Sequence, residues 1–337
     1  MSDTEKNVSL IVNKLSGGYS IRTFEETYYV DAVNKVSFYV KNNEILGIAG
    51  ESGCGKSTLL KLIYGFIKYP LIVKNGEILL QPGKDKPVNI LSLDSNDKRK
   101  KVWWKLMSYI PQNSMNVLNP TLKVKDHFIE VITTHMNVNR DVAYKIASEH
   151  ITIMGLSKDV LTAYPHQLSG GMRQRVVIAL AFLMKPRVIL ADEPTTALDV
   201  VVQRGILQIL VENQRKLENS LIVVTHDMGI HAMITDRLLT MYAGKLVEIG
   251  NTEAVFEDPL HPYTKLLISS LPRLGEKTMR KGIHGMPPDL KSPPPGCRFH
   301  PRCPYAMEIC KKEEPPILEV GKERFVACWL FEKEVKG

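Results

Sequence analysis

Gly50-Glu51-Ser52-Gly53-Cys54-Gly55-Lys56-Ser57-Thr58 fits G-x-x-x-x-G-K-[ST] without a mismatch. The residues before it, Glu44 to Ala49, form an apolar run suited to a buried strand; those after it, Thr58 to Tyr64, have helical composition. Strand, glycine loop and helix in that order are the setting of a phosphate-binding loop. Glycines let the main chain turn with its N–H groups inward, where a Cβ would obstruct a phosphate. The helix that starts there adds its positive dipole end. In such a loop Lys56 reaches the β- and γ-phosphates and the Ser57 hydroxyl ligates Mg²⁺. The plain alternative is a chance match in a glycine-rich turn, which average residue usage puts at about one per cent for a chain of this length.

Bulk properties bound the rest. The chain has 337 residues, enough for more than one domain, and its hydrophobic fraction of 44% is ordinary for a globular protein. No apolar run approaches the roughly 20 residues that span a bilayer. The polar start, Met1 to Lys6, does not read as a signal peptide, so a cytoplasmic protein is expected. A net charge of +8 suits a nucleotide, a nucleic acid or an anionic surface without choosing among them.

Along the chain, 8–12 and 33–40 alternate like strands, with Tyr19, Phe24, Tyr28 and Tyr29 on an intervening loop. Tyr19 is the candidate to stack on an adenine ring. Asn75-Gly76 reads as a hairpin turn, and the Lys/Arg-rich stretch 95–105 as a solvated helix. A short strand, Met107 to Ile110, leads to Gln112, whose amide oxygen can touch Mg²⁺ or an attacking water. Residues 122–165 read as a helical insert.

Leu168-Ser169-Gly170-Gly171 opens a helix to Met184. Ser169 alone would serve as an N-cap; two consecutive glycines that bare the amides point instead to a second anion cradle. Val188-Ile189-Leu190-Ala191 then makes a buried parallel strand ending in Asp192-Glu193-Pro194. Carboxylates at such a strand's C-terminal edge lie where α/β sheets bind ligands. Asp192 there holds Mg²⁺, and Glu193 polarises the water that attacks the γ-phosphate. Asp199 precedes a helix at 200–217. After the strand Ser220 to Thr225, His226 is placed to hydrogen-bond a γ-phosphate. A hairpin follows, with its turn at Ala243-Gly244.

Cys54 lies inside the phosphate loop; Cys297, Cys303, Cys310 and Cys328 fall in the last 41 residues, separated by five, six and 17 residues. Cytosolic cysteines rarely form disulfides, so a metal or a cluster is the first expectation. The spacing is not that of a paired zinc ribbon, and four thiolates can hold a [4Fe–4S] cluster. Spacing alone leaves Zn²⁺ open. Arg298 and Arg302 stand where they could offset cluster charge.

Taken in order, Gly50–Thr58, Gln112, Leu168–Gln174, Val188–Glu193, Ala197–Asp199 and His226 resemble the six motifs of the nucleotide-binding subunits of ABC transporters. His261-Pro262-Tyr263-Thr264 and Gly296 to Pro304 are similar to the tail of the oligopeptide/dipeptide importer branch. The resemblance implies an α/β P-loop NTPase: a RecA-like core with an antiparallel β-subdomain, a helical subdomain at about 113–170, and a small Cys-rich C-terminal extension. The cassette is expected over 1–255 and the extension over 256–337. Lys56 and Ser57 then match Walker A, and Gln112 the Q-loop. Ser169, Gly170 and Gly171 match the signature. Asp192 and Glu193 match Walker B and the catalytic base, Asp199 the D-loop and His226 the switch histidine. ATP and Mg²⁺ are the implied cofactors, with a [4Fe–4S] cluster on the four cysteines.

The implied partners are a second ATPase subunit, preferably a paralogue in a heterodimer, two transmembrane permease subunits and an extracytoplasmic solute-binding protein, with no nucleic acid. The implied place is the cytoplasmic face of the membrane. Two anion cradles but one lysine–serine pair argue independently for a dimer in which one cradle completes a partner's site. Peptides are the default solute, with oligosaccharides or nickel as alternatives. A soluble ABC ATPase acting on nucleic acid or ribosomes is the competing class; the chain shows no coiled-coil insert and no second cassette to favour it.

Overall fold

The computed structural model describes residues 7–81, 86–113, 116–196, 198–271 and 282–332; Met1 to Lys6, Ser114 and Ala197 lie outside the described residues. In chain order come β1 (Val8–Arg22), β2 (Thr27–Lys41), β3 (Ile45–Ala49), α1 (Lys56–Tyr64), β4 (Leu71–Leu80), β5 (Val88–Asn89), the single turn α2 (Ser95–Asp97) and β6 (Met107–Ile110). Then follow α3 (Val124–Met136), α4 (Arg140–Ile153), α5 (Gly170–Phe182), β7 (Val188–Asp192), α6 (Val200–Leu217) and β8 (Ser220–Val224). The chain closes with α7 (Met228–Ile234), β9 (Arg237–Tyr242), β10 (Lys245–Asn251), α8 (Thr252–Glu257), α9 (Pro262–Ser269), α10 (Glu308–Lys312), β11 (Leu318–Gly321) and β12 (Arg324–Val326). These elements form two compact units, each discontinuous in sequence. The first holds Val40–Asn43 and Leu80–Val223 with the chain up to Leu10, the second Ile11–Tyr39, Glu44–Leu79 and the chain from Val224 onward.

In the first unit β6 runs parallel to β7, with Met107 opposite Val188 and Ile110 opposite Ala191. All five residues of β7 are buried: the apolar run Val188 to Ala191 requires it, and Asp192 closes the strand. On α5 every residue from Val176 to Phe182 is buried. A helix apolar on all sides belongs in a core. The insert 122–165 holds two α-helices and a short 3₁₀ helix (Lys158–Thr162): Asn137 takes a left-handed φ of 53° that ends α3, and Asn139 caps α4 by accepting the Val142 N–H. The buried His150 of α4 donates from Nε2 to the Ala179 carbonyl of α5 at 2.7 Å. The expected helix at 95–105 is not formed over that length. Asp94 caps α2, which continues directly as a π-helical turn over Lys98–Val102, so the helical run covers 95–102 and stops short of 105. Val102 and Lys98 are buried on that run, and Trp103 takes extended backbone and ends it.

In the second unit β3 lies parallel to β9, while β10 pairs antiparallel with β9 and with β12, and β11 antiparallel with β12. The strand order β11-β12-β10-β9-β3 is therefore a mixed sheet. A second sheet sets β2 beside β1 and β1 beside β4. Tyr19 sits on β1, and Tyr28 and Tyr29 on β2, rather than on a loop; Phe24 alone of the four is in the turn. β1 runs straight through Gly17-Gly18, where a Cβ on Gly18 would lie 1.9 Å from the Val30 carbonyl oxygen. Close approach of a neighbouring strand, not a turn, demands that glycine. Asn75-Gly76 is likewise inside the continuous β4, not a hairpin turn; a Cβ on Gly76 would come within 2.5 Å of Leu15 Cα.

Two clusters fill this unit's core. One joins Ala49, Met228, Leu238, Val255 and Ile268. The other joins Tyr242, Ala243, Val247, Tyr263 and Phe299, with Cys297 and Cys303 against it. His231 on α7 is fully buried, and burial pushes its pKa down to about 4, so its imidazole is neutral. Gly47 on β3 faces that ring so closely that a Cβ would lie 2.5 Å from Nδ1 and 2.8 Å from Thr235 Cγ2. Gly47→Ala is accordingly expected to destabilise the protein by about 1–3 kcal/mol through overpacking. Urea denaturation checks this, and an unchanged midpoint contradicts the tight β3–α7 contact.

Candidate functional site

The Gly50–Thr58 loop is built on positive φ angles: 148° at Gly50, 78° at Gly53 and 106° at Gly55. A Cβ on Gly55 would lie 2.0 Å from the Ala32 carbonyl oxygen, and one on Gly50 2.3 Å from the Met241 carbonyl oxygen. No L side chain fits either place, so these glycines are required by space and by conformation. Gly55 caps α1. Ser52 and Gly53 are exposed at the loop's tip.

Lys56 is only 6% exposed, and its ammonium donates to the Gly50 carbonyl at 2.7 Å and the Glu51 carbonyl at 2.9 Å, with Cys54 Sγ at 3.7 Å. A buried cation must be hydrogen-bonded, and the loop's own carbonyls do this. Burial raises the pKa of the Cys54 thiol, against the lowering effect of Lys56. Tyr19 and Thr58 share a hydrogen bond between hydroxyls at 3.1 Å, so the sequence candidate for adenine stacking stands beside the first turn of α1.

Glu51 is held at three points. Its N–H donates to the Tyr263 hydroxyl at 2.7 Å, its carbonyl takes the Lys56 bond, and its carboxylate receives two bonds from Arg302, at 2.7 and 3.0 Å. Nothing local in the chain couples Tyr263 or Arg302 to this loop, since more than 200 residues separate them from Glu51. The tail motif in which both stand was the only signal.

In the first unit the two carboxylates at the end of β7 are each engaged from the end of β6. The Tyr109 hydroxyl donates to Asp192 Oδ2 at 2.9 Å, and the Gln112 amide donates to Glu193 Oε2 at 3.1 Å. Thr196 also donates to Glu193 Oε2, at 2.9 Å. Glu193 has a left-handed φ of 47°; a non-glycine residue kept there is held by its surroundings. Asp192 is 1% exposed. Tyr109 and Thr196 are functional neighbours that motif reading passed over. Tyr109 is three residues before Gln112 on a strand parallel to β7, which is the clue available in sequence.

Ser169 caps α5 by accepting the Met172 N–H at 3.3 Å, and Gly170 and Gly171 begin that helix. Asp199 caps α6 in the same way through Val202. A Cβ on Gly171 would lie 2.7 Å from Val202 Cγ1, so these two helix starts touch. Val200 and Val201, next to Asp199, are 78% and 82% exposed. His226 is exposed, just after β8.

The four tail cysteines are free thiols that line one small cavity together with His261, Phe299 and His300. The Cys297 N–H donates to the Cys310 carbonyl at 2.8 Å. Burial raises the thiol pKa of Cys297 to about 11 and of Cys328 to about 12. Among the described residues no three His, Cys, Asp or Glu side chains are grouped so as to hold a metal ion. Arg298 and Arg302 are committed elsewhere than to the thiols. Arg298 binds Asp31 and the Ala243 carbonyl, and Arg302 binds Glu51.

A glycine-shaped phosphate loop capping α1, within an α/β fold with a mixed sheet, defines a P-loop nucleotide-binding protein. The sequence matches the ABC transporter family over residues 33–196 and the C-terminal region of oligopeptide/dipeptide transporters over residues 247–310. It is 41% identical to a dipeptide transport ATP-binding protein of Caldanaerobacter subterraneus subsp. tengcongensis, over 90% of this chain and 92% of that one. It is 40% identical to an oligopeptide transport ATP-binding protein of Escherichia coli, over 89% of this chain and 88% of that one. The fold is similar to that of a dimeric ATP-binding cassette in a post-hydrolysis state bound to ADP and Pi, at TM-score 0.61 and 26% identity, over 72% of this chain and 98% of that one. The chain belongs to the ATP-binding subunits of ABC transporters, in the oligopeptide/dipeptide importer branch, and is an ATPase of that class.

Burial of Cys54 has a chemical consequence. Only a thiolate alkylates readily, and a raised pKa together with 5% exposure withholds it. Iodoacetamide at pH 7.5 is expected to leave Cys54 unmodified in the folded protein and to modify it in urea, as read by peptide mass spectrometry. Native labelling of Cys54 contradicts the packed loop.

Proposed function

We propose that this chain hydrolyses ATP to drive uptake of dipeptides or oligopeptides, as one of two ATPase subunits bound to the cytoplasmic face of two permease subunits that receive solute from an extracytoplasmic binding protein. The reading is supported by relatives named for dipeptide and oligopeptide transport, which favour peptides over oligosaccharides or nickel. The match of the tail to peptide transporters opposes a soluble ATPase acting on nucleic acid or ribosomes. Among the described residues no helix is long and apolar enough to cross a membrane, which is consistent with a peripheral subunit. We assign 1–255 to the cassette, with 113–170 as the helical subdomain that meets the permease, and 256–337 to the extension.

One observation carries the assignment of chemistry: Gln112 and Thr196 both hydrogen-bond Glu193, which holds its carboxylate in place as a base. In this reading Gly50 to Thr58 wrap the phosphates with main-chain N–H groups, Lys56 turns its ammonium to the β- and γ-phosphates, and Tyr19 stacks on the adenine. Ser57 and Asp192 would hold Mg²⁺, which would supply positive charge against the phosphates. The donor set fits: a hydroxyl beside the loop lysine, and a buried carboxylate oriented by Tyr109. Glu193 draws a proton from the attacking water, and Gln112, donating through its amide N–H, keeps its carbonyl oxygen as an acceptor for that water. His226 hydrogen-bonds the γ-phosphate. Ser169, Gly170 and Gly171 close over the γ-phosphate held by the partner, and Asp199 with the exposed Val200 and Val201 lies on the dimer face. The partner is a paralogue, as paired ATPases are usual in this branch. Loss of the γ-phosphate removes a bridge held from both sides and lets the dimer part.

The tail cysteines fit a [4Fe–4S] cluster better than Zn²⁺. Cys297, Cys303, Cys310 and Cys328 line one cavity, and four soft thiolate donors at spacings unlike a paired zinc ribbon support that choice. Cys297, Cys303, Cys310 and Cys328 would hold it as a structural group, since ATP hydrolysis has no redox step.

Glu193→Gln is expected to lower hydrolysis about hundredfold or more while Mg-ATP still binds and an ATP-bound dimer accumulates on size-exclusion chromatography. Hydrolysis at the parental rate defeats the assignment of the base. Protein purified without oxygen is expected to carry iron and acid-labile sulfide at about four each per chain; one zinc per chain without iron refutes the cluster.

A further inference from the structure

We propose that Arg302, carried on the cysteine-bearing turn, is a positioning residue for nucleotide binding: it clamps and neutralises Glu51 of the phosphate loop, so that the folded tail sets the affinity for ATP. The inference rests on the reading of Gly50–Thr58 as the nucleotide loop and goes beyond it by giving the extension a part in that site.

Arg302 uses all three guanidinium nitrogens. Nη1 and Nη2 form the bidentate pair with the Glu51 carboxylate, Nη1 also donates to the Tyr242 hydroxyl at 3.2 Å, Nη2 to the Ile283 carbonyl at 3.2 Å, and Nε to the His284 carbonyl at 3.0 Å. Its side chain is 5% exposed and that of Glu51 24%. A planar fork with five donors fixes both the place and the angle of a carboxylate. Arg302 immediately precedes Cys303, and Phe299, between Cys297 and Cys303, packs edge-on against Tyr242 and Tyr263. Tyr263 in turn accepts the Glu51 N–H. The segment bearing two of the four cysteines therefore reaches one loop residue by two routes, to its carboxylate and to its amide.

The electrostatic sense is definite. Glu51 places a carboxylate at the rim of a loop shaped for a polyanion, beside the carbonyl that holds Lys56. Without Arg302 that carboxylate is left partly buried and uncompensated, and like charge repels the phosphates. Loss of Glu51 together with Arg302 removes both the repulsion and its neutraliser. The two residues therefore have to be non-additive in nucleotide affinity.

The test is equilibrium binding of a fluorescent ATP analogue with Mg²⁺ to the full chain and to Arg302→Gln, Glu51→Gln, the double variant, and Lys56→Ala as control, with thermal midpoints recorded alongside. Arg302→Gln is expected to bind at least tenfold more weakly, and the double variant more tightly than Arg302→Gln alone. In steady state the ATP concentration for half-maximal rate rises with the dissociation constant, while the rate at saturating ATP changes less than twofold. Arg302→Gln within twofold of the parent overturns the proposal, and so does a double variant that binds no more tightly than Arg302→Gln. Should Arg302→Gln not fold, Arg302→Lys keeps the charge but loses the fork; a twofold to fivefold loss is expected, and parental affinity overturns the proposal. Lys56→Ala separates the two readings. If it binds like the parent, the assignment of the loop fails; if it abolishes binding while Arg302→Gln is neutral, only the role of Arg302 falls.

Discussion

A buried ammonium needs partners, and at Lys56 the partners are main-chain carbonyls of the loop it serves, those of Gly50 and Glu51. That constraint shapes everything around it. To bring those carbonyls inward and still start α1 at Lys56, the chain must take positive φ at Gly50, Gly53 and Gly55. It must also pass so close to the Ala32 and Met241 carbonyls that no Cβ fits at Gly55 or Gly50. Gly50 and Gly55 are thus required twice, by the torsion angles and by the space, and Gly53 by its torsion angle alone.

Glu51 links this loop to the tail. Its amide, carbonyl and carboxylate are bonded to Tyr263, Lys56 and Arg302. The aromatic cluster of Tyr242, Tyr263 and Phe299 fixes the two tail partners, and Cys297 and Cys303 pack on the same cluster. The tail is therefore not an appendage in energetic terms. Its core is continuous with the residues that hold the loop.

In the first unit the same economy places charge at a strand end. The parallel register of β6 and β7 brings Tyr109 to Asp192 and Gln112 to Glu193. Asp192, buried, is oriented by a hydroxyl. Glu193, in a left-handed backbone conformation, is braced by an amide and the Thr196 hydroxyl. Such bracing keeps the carboxylate in one orientation, as the proposed base needs.

The sequence alone determined the phosphate loop, the buried strands around it, the paired carboxylates and the two helix starts at Ser169 and Asp199. Each of these is local: a spacing of glycines, an apolar run, a cap one to three residues from its helix. Reading failed where locality failed. Asn75-Gly76 looks like a turn but sits inside a strand, where a positive φ and the close approach of Leu15 both demand the glycine. The charged run after Asp94 looks helical through 105, yet it ends at Val102, where Trp103 turns to extended backbone. Which hydroxyl orients Asp192, and which arginine holds Glu51, were decided by the tertiary structure alone. Those pairings join residues 83 and 251 positions apart, and a hydrogen bond depends on where two atoms meet in space, which no spacing along a chain encodes.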